Sequence, residues 1–226
     1  MIRSILCIVL AVVATNLRAE DASGLNGRVE NRTYISATGV FKVTIPVLPQ
    51  LGGAITDTPN VVTFEDDFNT YISIAAIPQD ATQRWELATR GMKDYLAYFF
   101  ANYILPDFTR NFAGAKNESA KFIPGQLDGT LLTSTLLPGG SMLADKIQRY
   151  DETRIPVAKR GNLVFVKSGH VFVISVELAE RVIEGKAYTK TTAEEDDILR
   201  QRLTDIVGRM QFATLPGTDG AGDAKK

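Results

Sequence analysis

The sequence is short of the residues that build most small-site chemistry. Its 226 residues include one Cys, one His and one Trp. A single cysteine excludes an internal disulfide framework, and one Cys with one His excludes a Cys/His zinc site. Neither sign of charge is in excess, with 25 Lys and Arg against 26 Asp and Glu and a formal net charge of −1. That balance lacks the basic surplus of a broad nucleic-acid footprint, so no nucleic-acid partner is expected. The apolar run Ile5 to Ala14 is half the roughly 20 residues a spanning helix needs, so no transmembrane span is expected in the mature chain. The glycine pairs Gly52-Gly53 and Gly139-Gly140 precede no Gly-Lys-Ser/Thr, and Ser141 has no Gly-x-Ser-x-Gly elbow around it. What is abundant is ordinary: 45% apolar and 23% charged residues describe a globular chain long enough for a sizeable core.

The amino terminus reads as an export signal over residues 1–19. Arg3 precedes the apolar run, and Leu17-Arg18-Ala19 offers a cleavage site with a small residue at its last position. Cleavage there removes Arg3, Arg18 and Cys7, so the 25 basic residues become 23 against 26 acids and the mature chain is cysteine-free. Such a chain relies on packing rather than disulfides, which suits a bacterial envelope compartment, periplasmic or extracellular. Residues 20–30 read as a polar linker, 31–215 as a single domain, and 216–226 as a disordered tail of small and charged residues.

Within the domain the pattern predicts an α+β fold. Phe41, Val43 and Ile45 alternate with Lys42 and Thr44 in a strand that Pro46 stops. Asn60 to Phe64 and Tyr71 to Ile77 form a hairpin across the polar loop at 65–69. Asp80 and Gln83 have capping-box spacing ahead of a helix to Leu105, which Pro106 should end, with Trp85, Ala88, Met92, Leu96, Phe99 and Tyr103 on its sheet-facing stripe. Phe122 to Leu127 and Leu131 to Leu137 flank Asp128-Gly129, and Leu163 to Lys167 and Val171 to Val176 flank Ser168-Gly169, two further hairpins. Thr192 and Glu195 cap a closing helix with Leu199, Leu203, Ile206 and Met210 on one face. Strands that arrive in hairpins imply a mainly antiparallel sheet with the long central helix and the carboxy-terminal helix packed on it.

The segment Gly39-Val40-Phe41-Lys42-Val43-Thr44-Ile45-Pro46 resembles the opening strand of PsbP-like and DcrB-like domains of exported and lumenal proteins. Residues 160–165 with 171–174 resemble the last hairpin of those families, and residues 206–212 their last helix and its end. Val47 stands where the families often carry Trp, and Met210-Gln211-Phe212 replaces a serine-phenylalanine end. The resemblance implies an α+β fold and a non-enzymatic accessory or binding role in a membrane-bounded compartment.

Candidate sites are few. His170 is the single histidine and so the one conceivable imidazole base, with Ser168 or Ser141 as conceivable nucleophiles of a hydrolase. The acidic clusters Glu65-Asp66-Asp67 and Glu194-Glu195-Asp196-Asp197 lack the alternation of a calcium loop, and the second belongs at the positive end of a helix dipole. No metal site and no cofactor is expected from these residues. The second half of the long helix carries more aromatics than one stripe can bury, so Tyr95, Tyr98, Phe100 and Tyr103 are expected to form a ligand or partner surface beside a buried Phe99. The expected function is an exported, non-catalytic envelope protein that binds a protein or a small apolar ligand. The alternative is an envelope hydrolase using His170 or the acids.

Overall fold

The computed structural model describes residues 24–144 and 155–214. The expected signal segment, residues 20–23 of the expected linker and the expected tail lie outside the described residues. In order, the elements are β1 (Arg28–Glu30), β2 (Thr33–Ile35), β3 (Phe41–Thr44), β4 (Ala54–Asp57), β5 (Val61–Glu65) and β6 (Tyr71–Pro78), then the helices α1 (Ala81–Arg90), α2 (Met92–Phe99) and α3 (Leu105–Asn111). There follow β7 (Lys116–Ile123), β8 (Thr130–Pro138), β9 (Val157–Lys167), β10 (His170–Glu177), α4 (Ala179–Ile183), α5 (Thr192–Gly208) and β11 (Met210–Phe212). The α+β class is as expected, and every described strand pairing is antiparallel.

The strands form two sheets. A seven-stranded sheet runs β4-β5-β6-β10-β9-β8-β7, and a four-stranded one runs β1-β2-β3-β11. Part of the expected linker joins the smaller sheet as β1. Its entry is fixed by Asp57, which accepts N–H bonds from Asn26 (2.8 Å) and Gly27 (2.7 Å). The β9–β10 hairpin has the expected tight turn, with Lys167 opposite His170 and Ser168 and Gly169 at φ 49° and 69°, the left-handed pair a type I′ turn needs. The β7–β8 loop is longer than the expected two-residue turn, because pairing ends at Ile123 and Thr130.

The large sheet is covered on both faces. On one, α5 and the small sheet bury Leu199, Leu203, Ile206, Phe41 and Tyr34 against Phe64, Ile74, Leu163, Phe165 and Phe172. At the centre Phe165 stacks on Phe172 at 5.1 Å, while Phe41 and Phe212 meet the Phe172 ring edge-on. On the other face α2 buries Tyr95, Leu96 and Phe99, and Phe100 follows directly after it, against Leu131, Val164, Val171 and Val173.

The long helix departs from expectation at three points. It breaks at Gly91, whose φ of 75° ends α1. Trp85, expected against the sheet, is 63% exposed, because α1 buries none of its residues. Pro106 does not end the helix but sits in the first turn of α3. A π-helical stretch, Phe100–Ile104, absorbs the proline, with the Leu105 N–H reaching the Phe100 carbonyl five residues back.

Candidate functional site

The register of the large sheet sorts its α2-side face into rows. Across β6, β10, β9 and β8 lie Ala75, Val173, Val164 and Leu131, an apolar row under α2. Next to it lie Ser73, Ser175, Asn162 and Thr133, and then Arg160 flanked by Glu177 and Thr135. These polar residues are buried from Ser175 to Thr133, with Asn162 inaccessible. They satisfy one another: Ser175 donates to Asn162 Oδ1 at 2.8 Å, and Asn162 Nδ2 donates to Thr133 Oγ1 at 3.3 Å. Glu177 accepts from the Ser141 hydroxyl at 2.5 Å and from the Met142 N–H at 2.8 Å, which fastens the loop after β8 to the sheet.

The sheet end at Tyr71 and Glu177 opens into a cleft of about 280 Å³, walled by Glu180 of α4, Arg202 and Asp205 of α5 and Arg209 just after it, with Pro46, Asn69 and Thr70 at its rim. Charges of both signs line it. Arg202 donates to both carboxylate oxygens of Glu180. Burial opposes ionisation of Glu180, but the Arg202 hydrogen bonds outweigh it and hold the carboxyl below the usual range.

Two large apolar side chains stand out of the protein beside this cleft, Phe68 at 59% exposure and Leu48 at 57%. Phe68 precedes Asn69 of the rim, and Leu48 lies two residues after Pro46. Both sit on backbone that is tightly held. Asp66 is inaccessible, and its Oδ1 accepts from the N–H groups of Phe68, Asn69 and Thr70 at 2.8–2.9 Å. Burial opposes its charge, but the bonds from Thr70, Phe68 and Asn69 win and depress its carboxyl. Arg32 donates to the Val47 carbonyl at 2.9 Å on the Leu48 side. Between the two segments the Asp67 N–H reaches the Leu51 carbonyl at 3.1 Å. Gly52 and Gly53, at φ 65° and 95°, permit that approach: a Cβ on Gly53 would lie 2.0 Å from the Glu65 carbonyl oxygen.

The aromatic positions expected to form a binding surface divide. Tyr95 and Phe100 are buried in the α2 interface, so neither is available to a partner; the Tyr95 hydroxyl accepts from Gln79 at 3.2 Å. Both pack with Leu131, Val164, Val171 and Val173 of the sheet. Tyr103 is 45% exposed and Tyr98 half-buried, forming an edge-on pair at 6.2 Å with Arg90 4.3 Å above the Tyr98 ring.

His170 begins β10, and its Nδ1 faces the Ser168 carbonyl at 2.7 Å. The Ser168 hydroxyl donates to the Ala213 carbonyl, and Ser141 is bonded at the opposite end of β10, so neither of these hydroxyls is directed to the imidazole. In the second acidic cluster Glu195 and Asp196 turn inward. Lys159, inaccessible on β9, meets Glu118 at 2.6 Å, Asp196 at 2.7 Å and Glu195 at 3.1 Å, and Arg181 joins Glu195 at 2.5 Å. The capping box is correspondingly one residue earlier than expected, Thr191 with Glu194.

In the sequence the loop at 65–69 reads as a polar turn that singles out neither Phe68 nor Leu48. The available signal was an aromatic between Asp67 and Asn69, where a turn needs none.

No protein-family model matches the chain, and no curated protein matches it. Several solved structures align with the chain at low identity, among them the following. The Saccharomyces cerevisiae Ran-binding protein Mog1p aligns with a TM-score of 0.47 and 8% identity, over 77% of this chain and 91% of that one. Cyanobacterial PsbP (CyanoP) from Synechocystis aligns at 0.45 and 15%, over 80% and 91%. A protein from Bacteroides thetaiotaomicron aligns at 0.41 and 10%, over 82% and 50%.

Proposed function

We propose that this chain is an exported, non-catalytic binding domain of the cell envelope that engages a protein partner through the cleft and the Phe68–Leu48 rim. The observation that carries the reading is Phe68: a large aromatic exposed on a loop whose backbone is already ordered by Asp66. An anchor held in its binding conformation loses little entropy on association, and aromatic anchors dominate interface energies. The partner class is a protein rather than a small apolar ligand, because Glu180, Arg202, Asp205 and Arg209 line the cleft, whereas an apolar ligand requires mainly apolar walls. Export is the reading of the first nineteen residues, with Arg3 ahead of the apolar run. No described helix is long and apolar enough to cross a membrane.

The test compares wild type with Phe68→Ala and Leu48→Ala in co-purification from the native source. Both variants should keep the wild-type melting temperature and lose the wild-type partner. Retention of the same partner by both would remove the rim from the interface. Mass measurement of the native protein tests export separately: the reading requires an amino terminus near Glu20.

A further inference from the structure

Helix α1 carries its uncharged stripe outward. Ala81, Thr82, Trp85, Ala88 and Thr89 recur at three and four residues, so they share one face. All five are exposed, and Trp85 is the single tryptophan of the chain. The Thr89 hydroxyl donates to the Trp85 carbonyl at 2.9 Å, so its polar atom is already bonded within the helix. The half-buried positions are Gln83, Glu86 and Leu87, and Leu87 packs on the apolar cluster under α2. A helix that only had to be solvated would turn its charges outward instead.

The neighbouring charges are held off this stripe. Arg84 donates to the Gln79 carbonyl, and Arg90 bonds Glu86 and lies over the Tyr98 ring. The result is a large indole standing among short side chains, with both nearby guanidinium groups engaged elsewhere. Knob and shallow surface therefore lie on the same ten-residue helix.

We infer that this stripe is a two-fold contact surface for a second copy of the chain, formed by antiparallel packing of α1 on α1. In such a contact each position meets one equally far beyond the axis. An axis between Glu86 and Leu87 sets Trp85 of each copy against Ala88 of the other, a large side chain on a small one, as interlocking helix surfaces require. Ala81, Thr82 and Thr89 are short enough for the helices to close around that centre. An uncharged stripe set on itself meets no like-charge repulsion, and a net charge of −1 opposes self-association little at longer range. A helix of this length spans about 15 Å, so the contact falls short of the roughly 800 Å² per partner of a standard stable interface. The dimer is accordingly transient and concentration-dependent. No residue of the stripe lines the cleft or its rim, so the inference stands apart from the proposed partner site.

Because Trp85 is the single tryptophan, its emission reads this face alone. The test follows the chain isolated from its native source by sedimentation velocity and tryptophan fluorescence over a micromolar-to-millimolar series. Mass should rise toward twice the monomer value as the emission shifts to the blue. Ala88→Arg and Thr82→Lys each place a charge on the exposed stripe. Each should weaken association at least about tenfold while keeping the wild-type melting temperature. A monomer throughout the series with unshifted emission overturns the contact, as does self-association that both variants leave unchanged. A blue shift seen only with phosphatidylcholine–phosphatidylglycerol vesicles, or only with a co-purified protein, gives the stripe a different occupant and overturns it as well.

Discussion

Asp66 is a small residue with a large reach: one inaccessible carboxylate orders three consecutive N–H groups and so presents Phe68. Replacing it with Ala strands those donors and should cost about 1–3 kcal/mol, read by chemical unfolding. Asp66→Asn keeps an acceptor oxygen and should cost less; equal losses in the two variants would mean the charge, not the bonds, orders the loop. On α2 the side chains separate in the same way. Phe99 is 1% exposed in the sheet interface, so Phe99→Ala should cost about 3–5 kcal/mol as a cavity. Tyr98 is half-buried under Arg90, and Tyr98→Ala should cost about 1 kcal/mol. Thermal unfolding of the pair checks the contrast, and equal losses would place both rings in the core.

Elements formed where local pattern and tertiary demand agreed. The β9–β10 hairpin is legible because Ser168-Gly169 supplies its turn and β-branched and aromatic residues flank it. The helical stripe around Leu96 and Phe99 is legible from its period. The missing parts lack such signals: β1, β2, β4 and β11 are three or four residues each, too short for a period to register. The start of α5 shows tertiary override. Thr192 and Glu195 have the capping spacing, but Thr191 and Glu194 take the cap because Glu195 is drawn to Lys159. Burial opposes the charge on Lys159, but bonds to Asp196, Glu118 and Glu195 prevail and raise its proton affinity. Lys159→Met keeps most of the volume but takes the cation from Glu118 and Asp196 and leaves Glu195 with Arg181 alone, so it should cost about 3–5 kcal/mol. A neutral effect in urea unfolding would show that packing, not charge, seats α5. The cleft was not legible in the sequence, because it joins four separate stretches of chain, at residue 46, 69–72, 176–180 and 202–209.

At the scale of the whole molecule, acid should be the vulnerable direction. Asp57, Asp66, Glu180 and Asp196 all have depressed carboxyls, in each case because hydrogen bonds outweigh the opposing effect of burial. A depressed carboxyl contributes stability above its unfolded value, near pH 4, and loses it as pH falls through the folded value. Melting temperature should therefore hold above about pH 5 and fall steadily below about pH 4; a flat profile down to about pH 2 would contradict this. The fold joins two sheets and brings the strap before β4, the β5–β6 loop and the end of α5 to one rim, which is the basis of the binding reading. Hydrogen–deuterium exchange of the chain with and without its native partner tests that reading most directly. Protection should concentrate at residues 46–51 and 65–70 and along residues 202–209. Protection centred on Trp85, Tyr98 and Tyr103, with the rim unchanged, would contradict it.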